Sequence, residues 1–314
     1  MILHQDKKLF SDILRAASQQ LGIKLEFIEK DYWITQVLSS LAKSRYVNDT
    51  VFKGGTSLSK GFGLIDRFSE DVDIAIINDS NKTGNEIKNI IRSTEKDITS
   101  GLSELQVEGI TSKGSRFRKS VFEYLSVDNK NKNNKLIVEI NSCANPFPFK
   151  ILEIKSFIYD FLLDTKQLKY IDLYQLEPFR INVLNKEQTL IEKTVSLIRF
   201  SFAGNSFEQL RSKIRHFYDL YYLLNDVACK EFIETTEFRQ KFDEVLNHDR
   251  EIFEEPTGWK DNIIVDSPLI NDFENIWNQL KDNYKSELSA LAYTQIPDER
   301  KVFHKFKELM KRIQ

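Results

Sequence analysis

The feature that most constrains this chain is a short apolar run carrying two aspartates, Asp71-Val72-Asp73-Ile74-Ala75-Ile76. Successive side chains in a strand alternate between faces, so Arg67, Ser69, Asp71 and Asp73 fall on one face and Val72, Ile74 and Ile76 on the other. Carboxylates two apart in a strand lie roughly 7 Å from one another and converge on one site. The plain alternative is two acids facing water on a half-exposed strand. Aspartate is depleted in strands, however, and alternating it with valine and isoleucine is a poor way to build a sheet. A hard divalent cation suits the pair better. Mg²⁺ takes oxygen ligands, usually one or two carboxylates, and completes its shell with water and substrate phosphates.

Just upstream, Val51-Phe52-Lys53 reads as a short strand closed by Gly54 and Gly55, with a small-residue helix, Thr56-Ser57-Leu58-Ser59-Lys60, behind it. A glycine pair there lets the backbone approach closely and turns N–H groups toward a phosphate. The stretch GGTSLSK followed by RFSEDVDIAI resembles the first motif of the DNA polymerase β-like nucleotidyltransferases. It resembles more closely that of the AbiEii/AbiGii abortive-infection toxins, the toxic halves of type IV toxin–antitoxin systems. One departure is the spacer from Thr56 to Glu70, fifteen residues and slightly longer than usual for the superfamily.

Composition is that of an ordinary water-compatible chain: 314 residues, 41% hydrophobic and 29% charged. That length can bury about 75% of the unfolded surface and suits one large or two modest domains. No apolar run approaches a membrane span, and MILHQDKKLF meets charge too early for a signal peptide, so no membrane association and a cytoplasmic location are expected. Cys143 and Cys229 form no CxxC and the four histidines are isolated, which argues against zinc or a disulfide framework. The net charge of −2 leaves no global footprint for nucleic acid. Locally, Lys113–Lys135 holds seven Lys/Arg against two acids, and Glu299–Arg312 holds six against two. Either could track a phosphate backbone, though a solvated face is the commoner explanation.

Helices are expected over 4–18, 25–43 and 83–102, and strands near 105–111, 118–127 and 135–141, the last two joined by the turn DNKNKNN. The phrase IEKDYWITQVL is similar to one near the start of the toxin family. Its Lys30 and Asp31 read as active-site neighbours or, preferably, as a surface pair. Glu139 stands between Val138 and Ile140, either as an edge-strand acid or as the superfamily's third acid. Residues 151–184 read as strand and loop. From Lys186 the period turns helical, and Lys193 falls off the stripe of Ile191, Thr194, Val195, Ile198 and Phe202. In RHFYDLYYLL, Phe217, Leu220, Tyr221 and Leu224 make a core face, grouping Arg215, Asp219 and Tyr222 opposite. Replacing Lys193 or Asp219 is therefore expected to leave folding intact. Residues 231–261 are acidic, and the closing residues from about 297 read as an amphipathic helix.

The expected fold is α+β: a nucleotidyltransferase-type mixed sheet with N-terminal helices over 1–185, then a helical domain over 186–314. The residues by themselves point to Mg²⁺-dependent phosphoryl-type transfer. The resemblance narrows this to nucleotidyl transfer from an NTP, with two metals roughly 3.5–4 Å apart clamping the attacking hydroxyl and the leaving pyrophosphate. It implies that Asp71, Asp73 and Glu139 hold metal, with Glu139 also orienting or deprotonating the hydroxyl. Gly54, Gly55, Arg67, Ser69 and Arg215 would bind the nucleotide. The downstream EK and R-x-x-x-D-L motifs bring Lys193 as a phosphate-neutralising cation and Asp219 to position it or the base and ribose. His216 stands where the family often has an acid. The family further implies growth inhibition, a cognate antitoxin and an RNA acceptor, tRNA in particular. A metal-dependent nuclease and a non-catalytic nucleotide-binding module are the alternatives.

Overall fold

The computed structural model describes residues 2–69, 71–78, 82–128 and 134–314. Two compact units divide the chain. The first runs to Gly63 and resumes from Phe68 to Leu184; the second comprises Leu64–Arg67 and Asn185–Gln314.

The first unit opens with α1 (Lys7–Leu21) and α2 (Leu25–Lys43), then β1 (Thr50–Lys53), α3 (Gly54–Lys60), β2 (Asp71–Ile76) and α4 (Gly84–Ile98). Next come β3 (Ser103–Leu105), β4 (Ser112–Lys113), β5 (Phe117–Glu123), β6 (Lys135–Asn141) and β7 (Phe149–Ile154). Helices α5 (Phe157–Asp164) and α6 (Leu168–Tyr174) precede β8 (Phe179–Leu184). The sheet order is β3-β5-β6-β2-β1-β8-β7, with β4 added on β5. It is mixed: β2 runs parallel to β6 and β1 to β8, whereas β1–β2, β5–β6 and β7–β8 are antiparallel.

Alternation along the central strands sets what each face does. Phe52, Val72, Ile74, Ile76, Leu136, Val138 and Ile140 are fully buried on one face. Helix α4 covers it, capped at its start by a Thr83–Glu86 capping box. Its Glu95 accepts from Ser120 and from Arg118 of β5 on that side. The odd-numbered partners on β2 and β6 emerge on the other face.

Three expectations are corrected here. The stretch near 105–111 is a turn and not a strand: β3 ends at Leu105, and the Ile110 and Thr111 N–H groups both donate to the Val107 carbonyl. Residues 151–184 contain α5 and α6 as well as strands, each too short for a clear helical period. Lys30 and Asp31 are no surface pair, because α2 is buried around its whole circumference. Asp31 accepts from Lys60 Nζ at 2.5 Å and from the Phe157 backbone N–H at 2.9 Å, and Lys30 lies over the Phe68 ring. A charge on a helix is hidden when distant segments bring partners to it, which local periodicity does not reveal. The DNKNKNN turn, between Asp128 and Asn134, lies outside the described residues.

The second unit is helical: α7 (Lys186–Ser201), α8 (Ser206–Ser212), α9 (Ile214–Leu223), α10 (Val227–Phe232), α11 (Thr236–Ile252), α12 (Pro268–Asn271), α13 (Phe273–Leu291) and α14 (Glu299–Ile313). Phe217 of α9 packs among Phe273, Trp277 and Phe306 in its aromatic core. Residues 64–67 belong to this unit because they pair with the chain after α13. Tyr293 N–H donates to Asp66 O at 3.0 Å, and Arg67 bridges Ala292. No helix among the described residues is long and apolar enough to cross a membrane.

Candidate active site

Register across four adjacent strands builds the first group of charges. Lys53 on β1 stands opposite Asp73 on β2, Asp73 opposite Glu139 on β6, and Glu139 opposite Lys119 on β5. In-register neighbours point to the same side of a sheet, so these four side chains form one lateral row, with Asp71 two residues along on the same face. Because β6 lies between β2 and β5, Glu139 sits in the sheet interior, and the edge-strand account of it is set aside. Lys119 Nζ lies 3.4 Å from Glu139 Oε2.

Burial raises the Asp73 carboxyl, as do the nearby Glu139 and Asp71 charges, against the opposing pull of Lys53 and Lys119; the result is about 7. A buried carboxyl raised by two neighbouring acids favours a proton or a cation there.

The glycine turn meets this row directly. Gly54 has φ +80°, and a Cβ there would overlap the Asp73 carboxylate, coming within 3.0 Å even of its Cγ. Glycine is thus required both by the backbone and by the space that the carboxylate occupies. Thr56 Oγ1 donates to the Asp71 carbonyl, tying the start of α3 to the start of β2, and Ser57 Oγ donates to the Gly54 carbonyl within the first turn of α3. Gly55 follows in the first turn of α3. Ser69 is half-buried in the coil ahead of β2.

The donor set fits a hard cation. The charged groups in that row are carboxylates and ammoniums. Among the described residues, no three His, Cys, Asp or Glu side chains are already grouped as a metal cage. Mg²⁺ needs only one or two protein carboxylates and takes its other ligands from water and phosphate.

A second group of charges lies within the helical unit. Arg67 grips Asp219 through two bonds, Nε to Oδ1 at 2.7 Å and Nη2 to Oδ2 at 2.7 Å. Lys193 Nζ approaches Asp219 Oδ2 at 2.9 Å. All three are buried, at 3%, 0% and 7% exposure for Arg67, Asp219 and Lys193. Burial by itself would raise the Asp219 carboxyl; Arg67 and Lys193 more than offset it and hold it well below the usual carboxylate range. His216 is pushed well below its usual value, first by burial and then by Lys193 and Lys213, so the imidazole is neutral at pH 7. Arg215 faces Glu287 at 3.4 Å.

The expected site residues thus fall into two sets. Asp71, Asp73, Glu139, Gly54 and Gly55 gather on the sheet; Lys193, Asp219, Arg67 and Arg215 belong to the helical unit. Arg67 does not share a strand face with Asp71, since β2 begins only at Asp71 and the guanidinium is engaged by Asp219. Nor do Lys193 and Asp219 sit on solvated helix faces. Helix α9 buries Tyr218 and Asp219 as well as Phe217 and Leu220, because α7, α13 and α14 all pack on it. Sequence reasoning missed Lys53, and it saw Lys119 only as one of the basic residues of 113–135; the signal that places both beside the acids is their register.

A mixed sheet presents paired carboxylates beside a glycine-opened helix, and an all-helical unit follows; the chain is a nucleotidyltransferase by its family. Residues 36–312 match the family described as nucleotidyl transferase AbiEii toxin, type IV TA system, and the chain belongs to that family. It is a nucleotidyltransferase toxin of a type IV toxin–antitoxin system, with an NTP as substrate and an antitoxin as partner. Among solved structures it is similar to MenT4, the nucleotidyltransferase toxin Rv2826c from Mycobacterium tuberculosis H37Rv, at 14% identity and a TM-score of 0.38. That match covers 86% of this chain and 98% of the other. No curated protein matches the chain.

Proposed function

We propose that this toxin transfers nucleotides from an NTP to an RNA acceptor, the 3′ end of tRNA, in an Mg²⁺-dependent reaction in the cytoplasm that inhibits growth. The observation that carries the reading is the in-register pair Asp73 and Glu139, with Asp71 on the same face. Asp71 and Asp73, with Glu139 beside them, would hold Mg²⁺, which when bound supplies positive charge to the triphosphate and the leaving pyrophosphate. The acceptor hydroxyl oxygen attacks the α-phosphorus; the new O–P bond forms as the bond to pyrophosphate breaks. The hydroxyl proton passes to the Glu139 carboxylate, which its strand holds beside Asp73. Gly54 and Gly55 offer backbone N–H groups to the phosphates, and Ser69 adds a hydroxyl. In the helical unit, Lys193 is kept as the cation of the reaction, a point charge suited to phosphate, and Asp219 as the group that holds it.

The test is incubation with each labelled NTP, Mg²⁺ and total cellular RNA, followed by a gel and mapping of small-RNA 3′ ends. Label at tRNA ends, absent with Asp71→Asn/Asp73→Asn, is the expected result. RNA shortened without nucleotide consumption would make the protein a nuclease. Growth arrest that persists in the variant, or arrest with unaltered tRNA ends, would return a binding role to first place.

A further inference from the structure

The row of four charges has cations at both ends, and the reaction as proposed uses neither. Lys53 directly precedes Gly54, so it stands at the end of the row where the nucleotide's phosphates are placed. Lys119 stands at the opposite end, beyond Glu139. On the reading that RNA is the acceptor, we propose that Lys119 is an acceptor-binding residue, meeting the phosphodiester next to the hydroxyl that Glu139 engages.

Three observations support this assignment. Lys119 Nζ is 3.4 Å from Glu139 Oε2, so whatever Glu139 touches is within reach of the ammonium. Both side chains remain open to an incoming strand, at 29% and 23% exposure. An ammonium has three donors, and one bond to Glu139 leaves two for phosphate oxygens. Such a partly exposed pair is worth little by itself, so sharing the lysine with RNA costs little.

The rest of the described basic stretch is set apart by phase, partner or position: Arg116 precedes β5 and its carbonyl accepts from Ser142 N–H, past the end of β6. Lys113 lies opposite Arg118, one residue out of step with Lys119, so both point to the other side of the sheet. Arg118 is bound by Glu95 at 2.8 Å, and Lys113 by Glu104 at 2.5 Å. Lys135, opposite Glu123 at the end of the strand pair, shares the Lys119 face but lies four residues along β6 from Glu139. The local excess of positive charge therefore reduces, next to the acids and among the described residues, to Lys119.

The experiment measures initial rates of nucleotide incorporation into tRNA purified from cells, using full-length protein and Mg²⁺, varying RNA and NTP separately. Lys119→Gln should raise the KM for RNA by about tenfold, the loss of one charge-assisted contact, while moving the KM for NTP less than twofold. Lys119→Arg should restore most of the RNA affinity. The salt slope of RNA binding should fall by about 0.7–0.9 in log K per log salt, one phosphate's worth. An unchanged KM for RNA overturns the proposal, as does a defect confined to kcat, which would make Lys119 a support for Glu139. If the parent protein labels no RNA with any NTP, the acceptor reading fails and takes this inference with it; the parent lane tells the two failures apart.

Discussion

Asp219→Ala tests whether the buried charges of the helical unit form one interdependent network. The aspartate's two oxygens receive two bonds from Arg67 and one from Lys193. All three groups are out of water, so removing the carboxylate leaves two buried cations facing each other. Breaking a buried ion pair from one side costs about 3–5 kcal/mol. At roughly 1.4 kcal/mol per factor of ten, that is two to four orders of magnitude in the opening equilibrium. The measurement is native-state hydrogen exchange with mass spectrometry on peptides covering α7 and α9, where protection should fall by that factor. Replacing the whole cluster (Arg67→Met, Asp219→Leu, Lys193→Met) should recover most of the protection, because apolar groups of similar volume can substitute for a buried ionic cluster. It should recover none of the activity. Exchange in α9 within threefold of the parent after Asp219→Ala would refute the reasoning, and the expectation from periodicity alone, that this change leaves folding intact, would stand. Acid alone will not imitate the mutation. The folded-state value of Asp219 lies below the ordinary 3.8, so its stabilisation is complete above that pH and is lost only as pH falls well under it.

The sheet site responds to pH in the opposite sense. The folded-state value of Asp73 is raised from 3.8 to about 7, so the stability it contributes is complete below 3.8 and is lost as pH rises through 7. Asp71→Asn/Asp73→Asn should therefore abolish turnover while raising Tm in metal-free buffer. The gain should be largest above pH 7 and vanish toward pH 4; a Tm that drops at pH 8 would show that these carboxylates hold the fold instead. Gly54→Ala combines a left-handed backbone, costing about 1–2 kcal/mol, with a clash against the Asp73 carboxylate. It should lower Tm and turnover together, and parent-level turnover would remove Gly54 from the site.

Local physics made much of this protein legible before any contact was known. Helix α2 occupies Leu25–Lys43 as its apolar spacing indicates, and the closing amphipathic helix runs over Glu299–Ile313. The alternation of Asp71 and Asp73 with Val72 and Ile74 marked a strand with one chemical face, because side-chain direction in a strand follows from chain geometry. Register and burial belong to a different level. That Lys53, Asp73, Glu139 and Lys119 share one row is a relation among four strands, and no single strand carries it. Arg67 reads as the start of β2 when only near neighbours are considered. Its real partner, Asp219, is 152 residues away, and desolvation makes that pairing decisive. Local periodicity could place Lys193 and Asp219 off their apolar stripes, but only the packing of α9 against α7, α13 and α14, with residues 64–67 paired to the chain after α13, turned that polar side inward. A helix face is solvated or buried according to what the rest of the chain lays against it.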